Sequence, residues 1–293
     1  MRAHRWYTPW LMVIPALTWL AVFALFPAVN TVVLSFTNVR TLSGGEFIGV
    51  ENYQRLLDDP RMVDAVVNTL LITVICVPLL VFLPLLLALL VHSRLPGMGF
   101  FRTVFYFPVV ASAVAVALIW QWILDDNGLA NQLGQQMGLI DKAVPFLTDR
   151  WLLIFSAVAL TVWKGLGYYM VLYLAALGNV RRELHEAAAV DGAGAVRRFR
   201  SVTVPGVRNM MLLIAVLITV SAMRLFTELY ILGGPQGGVG GQDVTIVFLI
   251  QSALKGSIDG RIGYASAVSV ALFVVTVGPL LLLARLNKKN SEV

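Results

Sequence analysis

Several polar and aromatic side chains fall inside stretches of the sequence that are otherwise apolar, and their chemistry suits contact with a hydroxylated solute. Aromatic rings stack on the apolar faces of sugars, while hydroxyl and indole groups donate hydrogen bonds. A charged side chain at membrane depth costs about 3 kcal/mol, so it persists mainly where it faces a polar cavity or a partner. We therefore predict a polar passage beside these side chains. They are Trp163, Lys164, Tyr168, Tyr169, Tyr173, Arg224 and Glu228.

Each of these residues also has a structural interpretation, which the sequence leaves open. A single aromatic ring in an apolar stretch more often packs against a neighbour or faces lipid than contacts a solute. Arg224 could pair with Glu228 one turn further on, or extend to the outer headgroups. Lys164 could make a structural contact with another subunit. The prediction of a passage therefore depends on the set and not on any one member.

A second candidate site is the basic stretch from Glu186 to Pro205, which separates two apolar segments. Its pattern predicts two short helices joined by a hinge, because Asp191 and Gly192 interrupt the first helix and Gly192 tolerates a left-handed backbone. Pro205 is expected to end the second helix, since its ring clashes with the preceding turn and it has no amide hydrogen. Alanines let another surface approach closely, and arginines prevent burial in lipid. The stretch should therefore dock on a soluble partner at the membrane surface.

The composition restricts the class of protein that could carry these sites. The chain has 293 residues, of which 58% are hydrophobic and 13% charged, and its mean hydropathy is +0.81. A soluble domain of this size is far less apolar, so we predict a membrane protein. The net charge of +6 does not indicate nucleic-acid binding, because the basic residues lie in alternate loops between apolar segments. Cys76 is the only cysteine and the three histidines are scattered, so we predict neither a disulfide nor a metal site.

Six apolar segments are long enough to cross a bilayer, which takes about 20 helical residues. We therefore predict an all-α polytopic membrane protein with a single transmembrane domain over residues 1–293. The first segment is expected to be a retained span, because its apolar run is too long for a cleaved signal peptide. The predicted spans cover about 10–35, 66–91, 103–124, 151–178, 207–232 and 263–286.

The basic residues also orient the predicted spans. Most of the 22 lysines and arginines fall before the first span, in alternate loops and after the last span. Such residues favour the cytoplasmic side of a membrane. We therefore predict that both termini and the 181–208 segment are cytoplasmic, while the opposite loops carry most of the acidic residues.

The order of residues in the basic stretch resembles the EAA loop of binding-protein-dependent ABC importer permeases. The resemblance consists of Glu186-Ala187-Ala188, then Gly192, then Val202-Thr203-Val204-Pro205. Asp191, Ala193 and Arg208 extend it toward the carbohydrate-uptake branch of that family. Further stretches similar to sugar-importer permeases are Asn52-Tyr53, Asn68-Thr69, Gly99-Phe100-Phe101-Arg102, Trp163-Lys164-Gly165-Leu166-Gly167, Gly233-Gly234-Pro235 and Gly263-Tyr264-Ala265-Ser266-Ala267.

The resemblance implies a type I ABC importer permease fold, with six transmembrane helices and a cytoplasmic coupling loop at 181–208. It implies a non-catalytic subunit of a prokaryotic cytoplasmic membrane, which translocates a sugar or sugar-like polyol. The implied partners are a second homologous permease, two ATPase subunits, an extracytoplasmic substrate-binding protein and membrane lipid, but no nucleic acid. ATP and magnesium would bind the partner ATPase, so no cofactor is expected in this chain. The residues implied in ATPase coupling are Glu186, Ala187, Ala188, Asp191, Gly192, Ala193, Phe199 and Pro205.

The energy source and the solute remain to be assigned from the sequence. No Walker-type sequence occurs, so the chain is not expected to hydrolyse ATP itself. The glycines from Gly233 to Gly241 predict a flexible external turn rather than a phosphate loop. The alternative function is a secondary active carrier for a small polar solute, for which Glu228 is the only candidate coupling carboxylate. Oligosaccharide, monosaccharide, amino sugar and glycerophosphodiester all remain possible substrates.

Overall fold

The computed structural model describes residues 7–92, 96–255 and 260–291. Arg2 and Arg5, on which the predicted orientation of the N-terminus partly depends, lie outside these residues, as do the last two residues of the chain. Within the described part the secondary structure is helical, apart from an isolated antiparallel bridge between Thr37 and Phe47. The helices are α1 Thr8–Leu20, α2 Phe26–Leu34, α3 Glu51–Asp58, α4 Pro60–Val91, α5 Met98–Val110, α6 Ala113–Leu124, α7 Leu129–Gln136, α8 Arg150–Gly178, α9 Arg182–Val190, α10 Ala195–Arg198, α11 Val204–Met223, α12 Thr227–Gly233, α13 Ile246–Lys255 and α14 Ile262–Ser291.

The predicted number of membrane spans, six, is confirmed if one sharply bent pair of helices is counted as a single span. Five helical segments are long and apolar enough to cross a membrane, and a sixth is present if one sharply bent pair counts as a single span. A π turn at Ala21–Leu25 joins α1 to α2 within the first of these. The five segments are Trp10–Leu34, Pro60–Val91, Arg150–Gly178, Ala195–Met223 and Ile262–Arg285.

The predicted third span, 103–124, is not one straight helix. It consists of α5 and α6, and the chain bends by 96° between Met98–Val110 and Ala113–Gln136. Ala111 and Ser112 have extended backbone torsions, which interrupt the helical hydrogen bonds. A tertiary contact holds α6 beyond the bend, because the Gln121 side chain donates to the Ile231 carbonyl at 3.0 Å. The sequence prediction missed the bend because nothing local to this stretch encodes that contact.

The predicted fifth span, 207–232, ends earlier than expected. The helix stops at Met223, and α12 starts only after a break at residues 224–226. Phe226 has φ of −142°, which is outside the helical region. The Leu225 carbonyl within the break accepts a hydrogen bond from Thr245 Oγ1 at 2.8 Å. This contact supplies a partner from 20 residues away, which explains why the break is stable in an apolar stretch.

The prediction that Pro205 ends a helix is wrong. The chain is helical from Ala195 to Met223, and Pro205 lies in the first turn of α11. A π turn at Phe199–Thr203 immediately precedes it. The wider π turn shifts the backbone before the proline, which relieves the clash that a proline ring causes inside a regular α-helix. The segment after Gly194 is therefore the start of a long span and not a separate short helix.

The chain divides into two compact units, one of which comprises Met1–Met62 and Leu249–Val274. The prediction of one transmembrane domain is not tested by this division and stays a prediction. In this first unit the Asn52 side chain donates to the carbonyls of Ser35 and Thr37 at 2.9 and 2.8 Å. Tyr264 donates from its hydroxyl to Asp59 at 2.8 Å. These two polar side chains close the turns that connect the helices of the unit.

The second unit, Val63–Phe248 and Val275–Val293, contains the larger core. Fully buried apolar side chains of α4, α8 and α11 pack together in it, among them Ile72, Leu85, Leu153 and Ile218. The end of α4 is closed by Arg102, whose Nε and Nη2 atoms donate to the Val91 carbonyl at 3.0 and 2.7 Å.

Two helices of this unit approach each other closely at Gly167 of α8. A Cβ atom at this position would overlap the carbonyl oxygen of Phe105 in α5. Small residues at helix crossings in membrane proteins allow such backbone contact. The Gly167 crossing therefore fixes the distance between α5 and α8, beside the middle of α8.

We expect Gly167→Ala to destabilise the protein by about 1–3 kcal/mol, because the added methyl group must push backbone apart. The apparent melting temperature in detergent should fall by several degrees. Gly178→Ala is the matched control, since nothing lies within 4 Å of a Cβ atom at Gly178 in the same helix. Equal melting temperatures for the two variants would contradict the packing role of Gly167.

Candidate functional site

A cavity of about 230 Å³ lies between helices of the second unit, beside the middle of α8. One face of α8 contributes four of its residues at the spacing i, i+3, i+4 and i+7, which brings them onto a single side of the helix. Residues of α4, α5, α11 and α12 complete the lining. The residues from α8 are Thr161, Lys164, Gly165 and Tyr168, together with Tyr169, and the others are Cys76, Leu80, Val109, Ile218, Ser221, Ala222 and Glu228.

Two opposite charges and two aromatic rings give this cavity its chemistry. Lys164 and Glu228 both line it, and neither forms an ion pair or a hydrogen bond with another side chain in the described part of the chain. The rings of Tyr168 and Tyr169 lie edge to face with their centroids 5.1 Å apart. The cavity thus contains a cation, an anion and aromatic ring surface. Charged groups can hydrogen-bond to the hydroxyl groups of a small molecule, and rings can contact its apolar faces.

The structure brings together four of the seven residues predicted for the passage and places the other three elsewhere. Trp163 packs against Trp120 with a centroid distance of 5.8 Å, and it does not line the cavity. Tyr173 is fully buried, and its hydroxyl donates to the Val81 carbonyl at 2.9 Å. Arg224 is exposed just after the end of α11.

The pairing of Arg224 with Glu228, which the sequence left open, is not formed. No ion pair joins the two side chains within the residues that the structure describes. The helix break at residues 224–226 separates them, so they are not one turn apart on a common helix. Glu228 is instead free to line the cavity.

Sequence reasoning missed the small and hydroxyl-bearing residues of the lining. Thr161 could have been found, because it precedes Lys164 by three residues and Tyr168 by seven, on the same helical face. Ser221 and Cys76 come from α11 and α4, and only the packing of these helices brings them to α8. No local signal in the sequence identifies them.

The predicted docking segment consists of α9, a turn at Gly192 and the start of the helix that leads into α11. Gly192 has φ of +75°, so the expected left-handed turn is present. All of α9 lies in the described part of the chain, and none of its residues is buried. Val190 is 88% exposed at the end of this helix.

The other residues predicted for coupling lie along this segment. Glu186 accepts a hydrogen bond from Arg182 Nε at 2.8 Å, and both side chains are exposed. Ala187 is exposed and Ala188 half-buried on α9, with Asp191 and Ala193 beside the glycine turn. Phe199 packs against the buried core of the second unit. Exposed residues of α9 are thus linked through the turn and Phe199 to the helices that surround the cavity.

Comparison with known proteins agrees with this architecture. The sequence matches the family model "Binding-protein-dependent transport system inner membrane component" over residues 57–291. It is 34% identical to the probable ABC transporter permease YurN of Bacillus subtilis, with 97% of each chain covered. It is 31% identical to the lactose transport system permease LacF of Rhizobium radiobacter, over 91% of this chain and 89% of that protein.

The fold is also that of a solved transporter. The chain superposes on a bacterial ABC transporter involved in the import of the acidic polysaccharide alginate with a TM-score of 0.83 and 23% identity. The match covers 97% of this chain and 96% of that one. At this level of identity the comparison concerns the fold alone.

Helices that are long and apolar enough to cross a membrane, five or six of them in the described part of the chain, define a membrane protein as the class. The family match identifies the kind of membrane protein. It covers most of the chain, and the relatives are transport permeases as well. The chain belongs to the binding-protein-dependent transport system inner membrane components, which are the permease subunits of ABC transporters.

We expect Tyr173→Phe to destabilise the protein by about 1 kcal/mol, because the buried Val81 carbonyl loses its donor. Pro84 lies three residues further along α4 and has no amide hydrogen, so the Leu80 carbonyl next to Val81 lacks the donor that a residue at position 84 would supply. The apparent melting temperature should fall by about 2 °C. Tyr168→Phe is the control, because the Tyr168 side chain is half exposed at 44%. A larger loss of stability in Tyr168→Phe would contradict this role of Tyr173.

Proposed function

We propose that this chain is the translocating permease subunit of an importer for a sugar or a sugar-like polyol, in the cytoplasmic membrane of a prokaryote. The observation that carries the substrate class is the cavity, where Tyr168 and Tyr169 lie beside Lys164 and Glu228. Rings contact the apolar faces of a sugar, while the charged groups and the hydroxyls of Thr161 and Ser221 bind its polar edges. The relative named for lactose supports the same class.

The proposed partners are those of a complete importer. They are a second homologous permease, two ATPase subunits that bind ATP and magnesium, an extracytoplasmic substrate-binding protein and membrane lipid. A related alginate transporter is known in complex with a periplasmic protein bound to an alginate pentasaccharide, which supports the binding protein as a partner. On this proposal the chain itself binds neither a cofactor nor nucleic acid, and it has no catalytic residue.

We place the ATPase contact on α9 and the Gly192 turn, on the cytoplasmic side with both termini. The exposed Val190 and the alanine face of α9 give a partner an apolar surface. Glu186 can exchange Arg182 for a group of the ATPase, because an exposed ion pair contributes little to stability. The full proposed set is Glu186, Ala187, Ala188, Asp191, Gly192, Ala193, Phe199 and Pro205.

The alternative of a secondary active carrier is less well supported. Such carriers hold a coupling ion with intramembrane carboxylates or broken helices. Glu228 is the only carboxylate among the residues that line the cavity. Relatives over nearly the whole chain are ABC transporter permeases, which favours an importer driven by ATP hydrolysis in other subunits.

We expect Tyr168→Ala to lower the uptake of substrate about fivefold, because loss of a ring contact costs about 1 kcal/mol. ATPase stimulation by the loaded binding protein should remain, since α9 is unchanged. Phe155→Ala is the matched control, as Phe155 is an aromatic residue of α8 with a similar exposure of 48% that does not line the cavity. Equal uptake by both variants in reconstituted vesicles would place the passage elsewhere.

We expect Gly192→Val to abolish regulated transport, because a β-branched residue is strained at φ of +75°. A cost of about 2 kcal/mol lowers the population of the docking geometry more than tenfold. The variant should insert normally, yet its ATPase should dissociate or hydrolyse ATP without regard to the binding protein. Uptake and ATPase activity of the purified complex provide the measurement.

Two further variants make the coupling test specific. Gly194→Val is the control, because Gly194 has φ of −65° and nothing lies within 4 Å of a Cβ atom there. Glu186→Lys should disturb coupling although it adds a basic residue to the loop. Wild-type uptake and regulation in both Gly192→Val and Glu186→Lys would show that the segment is only a linker.

A further inference from the structure

The glycine loop, defined as residues 234–245, connects α12 to α13 and folds around its own aspartate. The amide of Asp243 donates to the Gly237 carbonyl at 2.9 Å, which closes the loop on itself. Gly238 has φ of +73°, and a Cβ atom placed there would overlap the Asp243 carboxylate. The Asp243 carboxylate therefore occupies the space beside Gly238 that the side chain of any other residue would fill.

Side chains at the ends of two spans hold the glycine loop in this packed form. Asn68 of α4 donates from Nδ2 to the carbonyls of Gln242 and Val244, at 2.7 and 3.0 Å. Arg150, the first residue of α8, donates from Nη1 to Oε1 of Gln242 at 3.2 Å. The residues on both sides of Asp243 are thus attached to the helices, and the Asp243 side chain is held inside.

Asp243 is buried without a partner for its carboxylate. The residue is 1% exposed, and neither carboxylate oxygen has a hydrogen-bond partner in the described part of the chain. The charged groups that face it are Asp64 of α4 and, at the start of α8, Asp149 and Arg150. Arg150 already donates from Nη2 to Asp64 at 2.8 Å, so its charge is shared with another carboxylate.

This environment favours the neutral form of the carboxyl group. Burial raises the pKa of Asp243 to about 6, and the carboxylates of Asp149 and Asp64 contribute to the increase, while Arg150 opposes it. In an open, hydrated loop the same carboxyl group has an ordinary pKa of about 4. The packed loop therefore binds a proton more tightly than the open loop does.

We propose that Asp243 is a proton-controlled anchor of the glycine loop, which packs firmly against α4 and α8 when the carboxyl is neutral and loosens when it ionises. The packed loop has its full stability below about pH 4 and loses it as the pH rises toward about 6. A difference of about two pKa units corresponds to about a hundredfold change in the packing equilibrium, of which about tenfold falls between about pH 5 and pH 7.5.

A cysteine reporter in the loop tests this anchor directly. Val244 and Val239 both belong to the glycine loop, but Val244 is fully buried, whereas Val239 is 60% exposed. We would place Val244→Cys or Val239→Cys in a Cys76→Ala background and purify the assembled importer in lipid nanodiscs, where both faces are accessible. The rate at which a thiol reagent modifies the Val244→Cys variant is divided by its rate for the Val239→Cys variant. This ratio removes the intrinsic effect of pH on thiols.

The expected result is that this ratio rises about tenfold between about pH 5 and pH 7.5, and that Asp243→Asn makes it low and independent of pH. A ratio that does not change with pH while Asp243 is intact overturns the proposal. A ratio that still changes with pH in Asp243→Asn also overturns it, because another group would then control the loop. Neither measurement requires substrate, so the outcome is independent of the proposed transport function.

Hydrogen exchange of the unsubstituted protein provides a second measurement in case the cysteine variants fail to assemble. After correction for the intrinsic pH dependence of exchange, the amides of residues 237–244 should open about tenfold more often at about pH 7.5 than at about pH 5. The amides of α8 serve as an internal reference within the same complex. Equal corrected opening of the loop at both pH values contradicts the proposal.

Discussion

A backbone carbonyl that loses its helical partner inside a bilayer has no water to bind, and the interruptions of this fold depend on how that requirement is met. Side chains from other parts of the chain donate to carbonyls at or beside several helix ends and interruptions of the second unit. The break after α11 is therefore stable structure rather than a defect. The donors are Arg102 to Val91, Gln121 to Ile231, Tyr173 to Val81 and Thr245 to Leu225.

The need to pair backbone carbonyls also explains the role of several stretches that resemble sugar-importer permeases. Asn52 and Asn68 each donate to two carbonyls of a neighbouring turn, and Thr69 accepts from the amide of Ile246 at 3.2 Å. Arg102 closes the end of α4, and Tyr264 binds Asp59. These motifs hold the backbone and lie outside the cavity lining. The resemblance they carry therefore reports on how the chain folds, while the solute depends on other residues.

Local patterns predicted the spans well because the length and polarity of an apolar run depend only on the run itself. They failed at residues 111–112, 224–226 and Pro205, where the outcome depends on tertiary donors or on a π turn. The cavity shows the same division. Lys164 and Tyr168 could be predicted from their chemistry and Thr161 from its helical spacing. Ser221 and Cys76 reach the cavity only through the packing of separate helices.

The continuous helix from Ala195 to Met223 has a mechanical consequence. It has 29 residues, and a helix of that length is about 43 Å long. Its first turns follow the Gly192 turn, and Ser221 and Ala222 near its far end line the cavity. Because the π turn keeps the helix continuous at Pro205, one helix connects the two sites. A tilt of about 10° around its midpoint displaces each end by about 4 Å in opposite directions, which is comparable with the width of a sugar ring.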